Sequence, residues 1–227
     1  MMRRILCVSA IVRLVLVLGI TSTAMAIPTV RLDQGEYQQG NGGEFKLTVT
    51  GAGILNQPVG SFFPSFCMEK NEYVSFGATY YAIVNDSAVS GGVGGGSPDK
   101  LDPRTAWLYN EFLDHTLVGY DYSSVAARKE SAGALQNAIW YLEEEIDSVS
   151  GLAASFVALS DASDWYANNS IGGIRILNLY TSYDPGSDKL SGPAQDQLVR
   201  AVPAPGAALL VGLGTTLVGY LRRRGSL

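Results

Sequence analysis

The segment Glu44-Phe45-Lys46-Leu47-Thr48-Val49-Thr50 alternates apolar and polar side chains, and this alternation indicates the fold class. A period of two residues is typical of a strand that turns one face to the core and the other to water. Aromatic and β-branched runs follow at residues 62–67, 73–76 and 79–84, and a closing run lies at residues 174–180. We expect these segments to form an antiparallel β region.

Helical patterns occupy the chain between these strands. Asp102 and Pro103 predict a helix start, because aspartate caps free backbone N–H groups and proline fits the first turn; this helix runs toward Leu117. A second helix carries an apolar stripe at helical spacing, which packs on the core. The stripe consists of Leu135, Ile139, Leu142 and Ile146. A third helix is expected at residues 152–168.

These patterns predict an α+β fold, in which an antiparallel β region packs with a small group of helices. We expect one domain over residues 27–183 and a polar spacer at residues 184–201, where Gly, Pro and polar residues prevail. The chain has a formal net charge of −5 and no basic stripe, which argues against nucleic acid as a partner.

The N-terminus has the pattern of an export signal. Arg3 and Arg4 precede an apolar stretch at residues 14–20, and Ala24-Met25-Ala26 is a small-x-small cleavage site. We therefore expect a signal peptide over residues 1–26, cut after Ala26. The alternative is an uncleaved membrane anchor, but the apolar stretch is too short to span a bilayer.

The C-terminus has three parts in a fixed order. Val202-Pro203-Ala204-Pro205 is followed by an apolar run at residues 206–220 and by the basic cluster Arg222-Arg223-Arg224. The run spans about 22 Å as a helix, short of a full hydrocarbon core, and the arginines would hold the C-terminus on the cytoplasmic side. The alternative is a plain C-terminal anchor.

This tail, residues 202–227, resembles the PEP-CTERM sorting tail of Gram-negative bacteria that make exopolysaccharide, although Ala204 stands where the family name implies glutamate. The resemblance implies a membrane-sorting helix at the C-terminus and an exosortase-type processing enzyme as partner. The protein would be anchored transiently in the inner membrane and then reach the cell surface or the extracellular matrix.

Cys67 is the one cysteine that remains after removal of the signal, which contains Cys7. An unpaired thiol is unusual in an exported protein. The segment Phe66-Cys67-Met68-Glu69 and the downstream segment 135–140, Leu-Gln-Asn-Ala-Ile-Trp, resemble the Cys-Gln thioester domains of bacterial surface proteins. In that family the glutamine lies in a Thr-Gln-x-Ala pattern often continued by Ile-Trp. Gln136, Ala138 and Ile139 fit the pattern, and Leu135 replaces the threonine.

The resemblance implies a thioester between Cys67 and Gln136. A primary amine on a surface or matrix partner would attack the acyl carbon and become attached to Gln136, as suits an adhesion protein. The protein is consumed in this reaction, so we expect neither an enzyme nor a cofactor. Phe66 and Trp140 are candidates for shielding the bond from water. Gln136 and Trp140 are four residues apart and would share a helix face.

Other interpretations of the same residues remain. Cys67 could be a small buried hydrophobe in a noncovalent binding or structural matrix protein, whose 12 tyrosines and 3 tryptophans contact polysaccharide or protein. An enzyme would pair Cys67 with His115, the single histidine. Residues 143–145, three glutamates, are expected to form a solvated acidic face and no metal site. The glycine-rich residues 90–98 are expected to be a linker or lid.

Overall fold

Residues 27–202 are described by a computed structural model, and they form a mixed α/β structure. The strands of the main sheet are β1 Thr29–Asp33, β4 Phe45–Val49, β5 Phe62–Ser65, β6 Ala78–Asn85, β9 Ile174–Asp184 and β10 Lys189–Arg200. They are antiparallel and lie in the order β10-β9-β6-β1-β4-β5. Two small hairpins join β2 Gln38–Gln39 to β3 Gly42–Gly43, and β7 Ser87–Ala88 to β8 Asp99–Lys100.

The side chains of β4 alternate between the core and the solvent, as a period of two residues predicts. Phe45, Leu47 and Val49 are buried, whereas Lys46 is exposed. Leu47 lies opposite Leu32 of β1 on one side and Phe63 of β5 on the other, so β4 is an interior strand of the sheet. The expected strands at 62–67, 79–84 and 174–180 are confirmed with shifted ends. The expected strand at 73–76 is wrong, because those residues form no strand, although the N–H of Gln195 in β10 donates to the carbonyl of Tyr73 at 3.5 Å.

The sheet curls until its two edges meet just after β5. The backbone N–H of Leu198 donates to the carbonyl of Phe66 at 3.0 Å, and the N–H of Met68 donates to the carbonyl of Asp196 at 3.1 Å. Cys67 and Gln197 face each other between these two bonds. The polar spacer expected at 184–201 is therefore wrong over most of its length, because β10 is an edge strand with a buried second half.

The described residues form four helices: α1 Pro103–Asp114, α2 Val125–Leu142, α3 Gly151–Asp161 and α4 Asp164–Ala167. Helices α1 and α2 pack on strands, whereas α3 and α4 pack mainly on the other helices. The Asp102 side chain accepts from the N–H of Arg104 and caps α1 as expected. Helix α2 ends at Leu142, earlier than its apolar stripe, and Glu144 has a left-handed backbone with φ of 62°. The expected third helix is divided between α3 and α4.

Two apolar clusters fill the interior. One lies among the helices and contains Phe66, Phe112, Leu135 and Phe156. The other lies on the sheet and contains Leu47, Cys67, Trp140 and Leu177. Helix α2 belongs to both clusters, since Leu135 and Trp140 are on different sides of it. Over residues 27–202, no helix is both long and apolar enough to cross a membrane.

Candidate functional site

Cys67 and Gln136 lie in contact, although 69 positions separate them in the chain. Cys67 comes from the segment after β5, at the seam between the sheet edges, and Gln136 comes from α2. The thiol donates to Gln136 Oε1 over 3.3 Å. Cys67 is 0% and Gln136 1% exposed. A buried amide oxygen within reach of a buried thiol is the arrangement that the sequence motifs predict.

Backbone groups fix the orientation of the Gln136 amide. Oε1 accepts from the N–H of Cys67 at 3.2 Å and from the N–H of Gly43 at 3.3 Å, while Nε2 donates to the carbonyl of Cys67 at 2.8 Å. Two N–H groups that converge on one carbonyl oxygen have the form of an oxyanion hole. They would stabilise negative charge on Oε1 if the amide carbon were attacked.

The β2–β3 hairpin covers Gln136, and sequence analysis did not predict it. A Cβ atom on Gly42 would lie 2.2 Å from Gln136 Cγ, so only glycine permits the hairpin to approach this closely. The next residue, Gly43, supplies the second N–H to Oε1. The run Gly40-Asn41-Gly42-Gly43 was the one signal in the sequence, since clustered glycines mark tight turns and close backbone approaches.

Trp140 lies beside Cys67, as the shared helix face of Trp140 and Gln136 predicts. Trp140 is buried in the sheet-side cluster with Cys67. Its indole N–H forms no regular hydrogen bond with any described residue, but it is near enough to the sulfur to oppose the rise in the thiol pKa. The Trp140 side chain therefore lies beside the thiol.

Phe66 does not fit the shielding role that the sequence suggested for it. Its side chain lies in the helical cluster and packs edge-on against Phe112, with 5.1 Å between ring centroids. Adjacent residues of an extended segment point to opposite sides, so Phe66 faces away when Cys67 faces Gln136. We therefore assign Phe66 to the core, and Trp140 stays the candidate for shielding the bond.

The Cys67 thiol is held in its neutral form. Burial raises its pKa well above the ordinary value, and the negative charge of Glu69 raises it further. The thiolate is the nucleophilic form of cysteine, so attack on Gln136 requires the thiol proton to move elsewhere.

Glu69 and Asp196 form a buried carboxyl pair next to the seam. The N–H of Asp196 donates to Glu69 Oε2 at 3.0 Å, and Asn178 Nδ2 and the N–H of Val89 donate to Asp196 Oδ2. Burial raises the pKa of both carboxyl groups, and the charge of Asp196 adds to the rise at Glu69. Glu69, a neighbour in the cysteine motif, therefore contributes a carboxyl group that favours its neutral form.

The glutamates at 143–145 are not a solvated acidic face, because Glu143 and Glu145 are buried. Glu145 Oε2 accepts from the N–H of Lys70 at 2.7 Å, and its Oε1 accepts from the N–H of Val93 at 2.9 Å. Glu145 thus ties the end of α2 to the segment after Cys67. The glycine-rich loop is the third partner: it folds around this carboxylate and is no free linker.

The remaining predicted residues fall into four groups. Ala138 and Ile139 are core residues of α2. His115 is exposed at the end of α1 and stacks on Tyr122 at 4.3 Å, and among residues 27–202 no hydrogen bond joins it to Cys67. The N–H of Val202 donates to the carbonyl of Leu55. Outside the described residues lie Ala26, Pro203, Pro205, Arg222, Arg223 and Arg224.

Comparison of the chain with protein-family models, with curated proteins and with solved structures gave no match.

The buried carboxyl groups should make the protein more stable at pH 5 than at pH 9. Burial also raises the pKa of Glu143, to about 8. A raised carboxyl pKa contributes stability that is complete below the unfolded value, about 4, and is lost as the pH rises through the folded value. Urea denaturation midpoints at the two pH values measure the loss. Glu143→Gln, which is neutral at both, should reduce the difference, and equal midpoints for the unchanged protein would contradict the assignment.

Gly42→Ala should separate Gln136 from Cys67, because the added methyl group would overlap Gln136 Cγ. We expect a lower melting temperature and a Cys67 side chain that becomes reactive toward iodoacetamide. Gly40→Asn is the matched control in the same hairpin, since a Cβ there meets no atom and asparagine tolerates the φ of +61°. A Gly42→Ala protein that behaves like the control would show that the hairpin does not press on Gln136.

Proposed function

We propose that this is an exported surface or matrix protein in which Cys67 and Gln136 form an internal thioester that captures a primary amine on a partner. The observation that carries the proposal is the position of Gln136 Oε1, 3.3 Å from Cys67 Sγ and in contact with the N–H groups of Cys67 and Gly43. The resemblance of the two sequence motifs to thioester domains supports it independently.

Bond formation follows from this geometry. Sγ attacks the side-chain carbonyl carbon of Gln136, and the negative charge that develops on Oε1 is stabilised by the N–H groups of Cys67 and Gly43. The C–Nε2 bond then breaks, and the nitrogen leaves as ammonia after taking up the proton that the thiol gave up. The product is a thioester, and no oxidant or cofactor is consumed. Because the thiol pKa is raised, formation should accelerate as the pH rises.

In the capture reaction, Gln136 is the acyl donor and the sulfur of Cys67 is the leaving group. The nitrogen of a primary amine attacks the acyl carbon of Gln136, the S–C bond breaks, and Cys67 regains a proton as a free thiol. The partner is then joined to Gln136 through an amide bond. Each protein molecule reacts once, so the proposed activity is attachment without turnover.

Freshly folded protein should be lighter than its sequence mass by one ammonia, and Cys67 should resist alkylation. Methylamine should then add at Gln136 and release one thiol, because it opens the thioester. Intact mass and peptide mapping measure both changes. Cys67→Ala and Gln136→Ala should each abolish addition. Gln136→Glu is less informative, since a carboxylate is a poor acyl donor.

Full sequence mass together with a freely alkylated Cys67 in unreacted protein would contradict the thioester. The protein would then be better described as a noncovalent binding or structural matrix protein. Amine capture at the normal rate by either alanine variant would assign the chemistry to another residue.

Trp140 should set the lifetime of the thioester, because its ring lies beside the Cys67 sulfur and would exclude water from the bond there. We expect the thioester of the Trp140→Phe variant to hydrolyse only modestly faster than that of the unchanged protein. The Trp140→Ala variant should lose its thioester quickly. Truncation to alanine also costs about 3–5 kcal/mol of folding free energy. Hydrolysis is therefore followed by mass at temperatures where circular dichroism shows each variant folded. Equal rates in all three proteins would mean that the hairpin, rather than the indole ring, excludes water.

We also propose that the tail at residues 202–227 sorts the protein to the surface by way of the inner membrane, with an exosortase-type enzyme as its processing partner. The support is the order of the proline-containing box, the short apolar run and Arg222–Arg224. Surface protein should lack the three arginines, which C-terminal peptide mapping can establish. Truncation before Val202 should send the domain past the membrane unattached. An intact tail on the surface form would instead indicate a permanent anchor.

A further inference from the structure

A target amine must reach a bond that is closed off from water. The wall beside Cys67 is Trp140, and the backbone of β10 lies across from Cys67 at the seam. The cover over Gln136 is thinner, since it consists of Gly42 and Gly43 of a hairpin with only two residues in each strand. Among the described residues that cover the bond, the hairpin therefore has the least regular secondary structure. We expect it to be the easiest part of the cover to displace.

A pocket of about 190 Å³ opens next to this hairpin. We call it the amine pocket and define it by Gln38, Asn41, Lys70, Glu72, Tyr73 and Phe76. One wall is the hairpin, in which Asn41 directly precedes Gly42. The other wall begins at Lys70, three residues after Cys67. The pocket thus lies between the two segments whose N–H groups hold Gln136 Oε1.

The lining of the amine pocket suits an alkyl chain that ends in an ammonium group. Tyr73 is 77% and Phe76 49% exposed, so their rings are open to a ligand. Phe76 packs against the buried Phe45, with 5.9 Å between the ring centroids. Glu72 adds a carboxylate, held by a hydrogen bond from Ser90 Oγ. Aromatic faces together with a carboxylate attract alkylammonium groups.

We propose that the amine pocket is the binding subsite for the ω-amino alkyl chain of the target, and that the 38–43 hairpin moves aside to admit the amine to Gln136. The proposal rests on the thioester function and adds the substrate class and the direction of approach. Two sources share this chemistry, a lysine side chain of a partner protein and a free diamine.

The rival approach is a larger depression of about 480 Å³, which Lys70, Asn137 and Asp147 line on another side of Lys70. Asn137 is exposed and adjacent to Gln136 in α2, so this depression also comes near the bond. Its lining contains no aromatic ring. Asp147 is exposed and lines the depression much as Glu72 lines the amine pocket, which makes Asp147→Asn a matched control.

Amine addition to the purified protein, followed by intact mass, tests the subsite. The probes are methylamine, Nα-acetyl-lysine methylamide and 1,5-diaminopentane at equal concentrations. Glu72→Gln and Tyr73→Ala should each slow the two long probes by about tenfold relative to methylamine, the size expected for loss of one ammonium contact. Lys70→Met should accelerate them, because it removes a like charge, and Asp147→Asn should change nothing.

The two long probes distinguish the sources. Faster reaction of the lysine derivative indicates a protein target, and faster reaction of the diamine indicates a free polyamine. Unchanged probe ratios in Glu72→Gln and Tyr73→Ala would overturn the proposal. Selective slowing by Asp147→Asn would overturn it in favour of the rival depression.

A disulfide tests the movement of the hairpin. A Cβ built on Gly133 of α2 lies 3.3 Å from Gln39 Cβ, close to the separation of about 3.8 Å that a disulfide needs. Gln39→Cys combined with Gly133→Cys should lock the hairpin on α2 when oxidised. Addition of every amine should then fall at least about tenfold and recover on reduction with a phosphine. Equal rates in the oxidised and reduced forms would overturn the proposed route.

A binding measurement tests the subsite independently of the thioester. Cys67→Ala cannot form the bond, so Nα-acetyl-lysine methylamide can be titrated into it and followed by ¹H–¹⁵N NMR. We expect the added ligand to shift the amide resonances of Glu72 and Tyr73. These shifts should disappear when Glu72→Gln is combined with Cys67→Ala. If the unchanged protein never loses ammonia, the thioester function fails while this titration still judges the subsite. Shifts absent from the amine pocket would overturn the subsite.

Discussion

The contact between the Gln136 amide and the backbone of Cys67 is the interaction on which the arrangement of this protein depends. It joins helix α2 to the seam where the two edges of the curled sheet meet, and Gly43 attaches the β2–β3 hairpin to the same oxygen. A glutamine amide is costly to bury unless its donors and acceptors are paired. Here its oxygen and one N–H are paired with backbone groups, so the helix, seam and hairpin stabilise one another's positions.

Three buried acidic residues lie around the contact between Cys67 and Gln136. Glu145 fixes the segment after Cys67 to the end of α2 through the N–H of Lys70. Glu69 and Asp196 instead bring two carboxyl groups into the interior, where burial favours their neutral forms. The thiol is likewise held neutral. In the folded protein the thiol and both carboxyl groups therefore favour their neutral forms, and attack of Cys67 on Gln136 would require a proton to move.

Local sequence patterns predicted the elements that local forces determine. Asp102 and Pro103 marked the start of α1, and the alternation in residues 45–49 marked β4, because caps and strand faces leave a direct trace in the sequence. The burial of Glu143 and Glu145 left no such trace, since their partners lie in distant segments. The second half of β10 was also missed: a register shift between Ala194 and Gln197 breaks the alternation there.

The pairing of Cys67 with Gln136 was predictable from motifs, but the reason for their fit was not. Strands of two residues have no periodicity, so the hairpin that supplies Gly43 could be recognised only as a glycine cluster. For Phe66, the sequence suggested a role that its position in the structure does not fit. Its closeness in sequence to Cys67 suggested a shared role, whereas neighbours on an extended segment face opposite clusters.

The place of Gln136 in the chain has a mechanical consequence. Capture would free Cys67, so a pull between a bound target and the C-terminal side of the domain would run through the backbone from residue 136 to residue 202. That path contains the end of α2, helices α3 and α4, and the long β9–β10 pair. Residues 27–135 would lie outside the loaded path and bear force only through noncovalent contacts. Before capture, the proposed thioester would instead tie the two halves of the domain together.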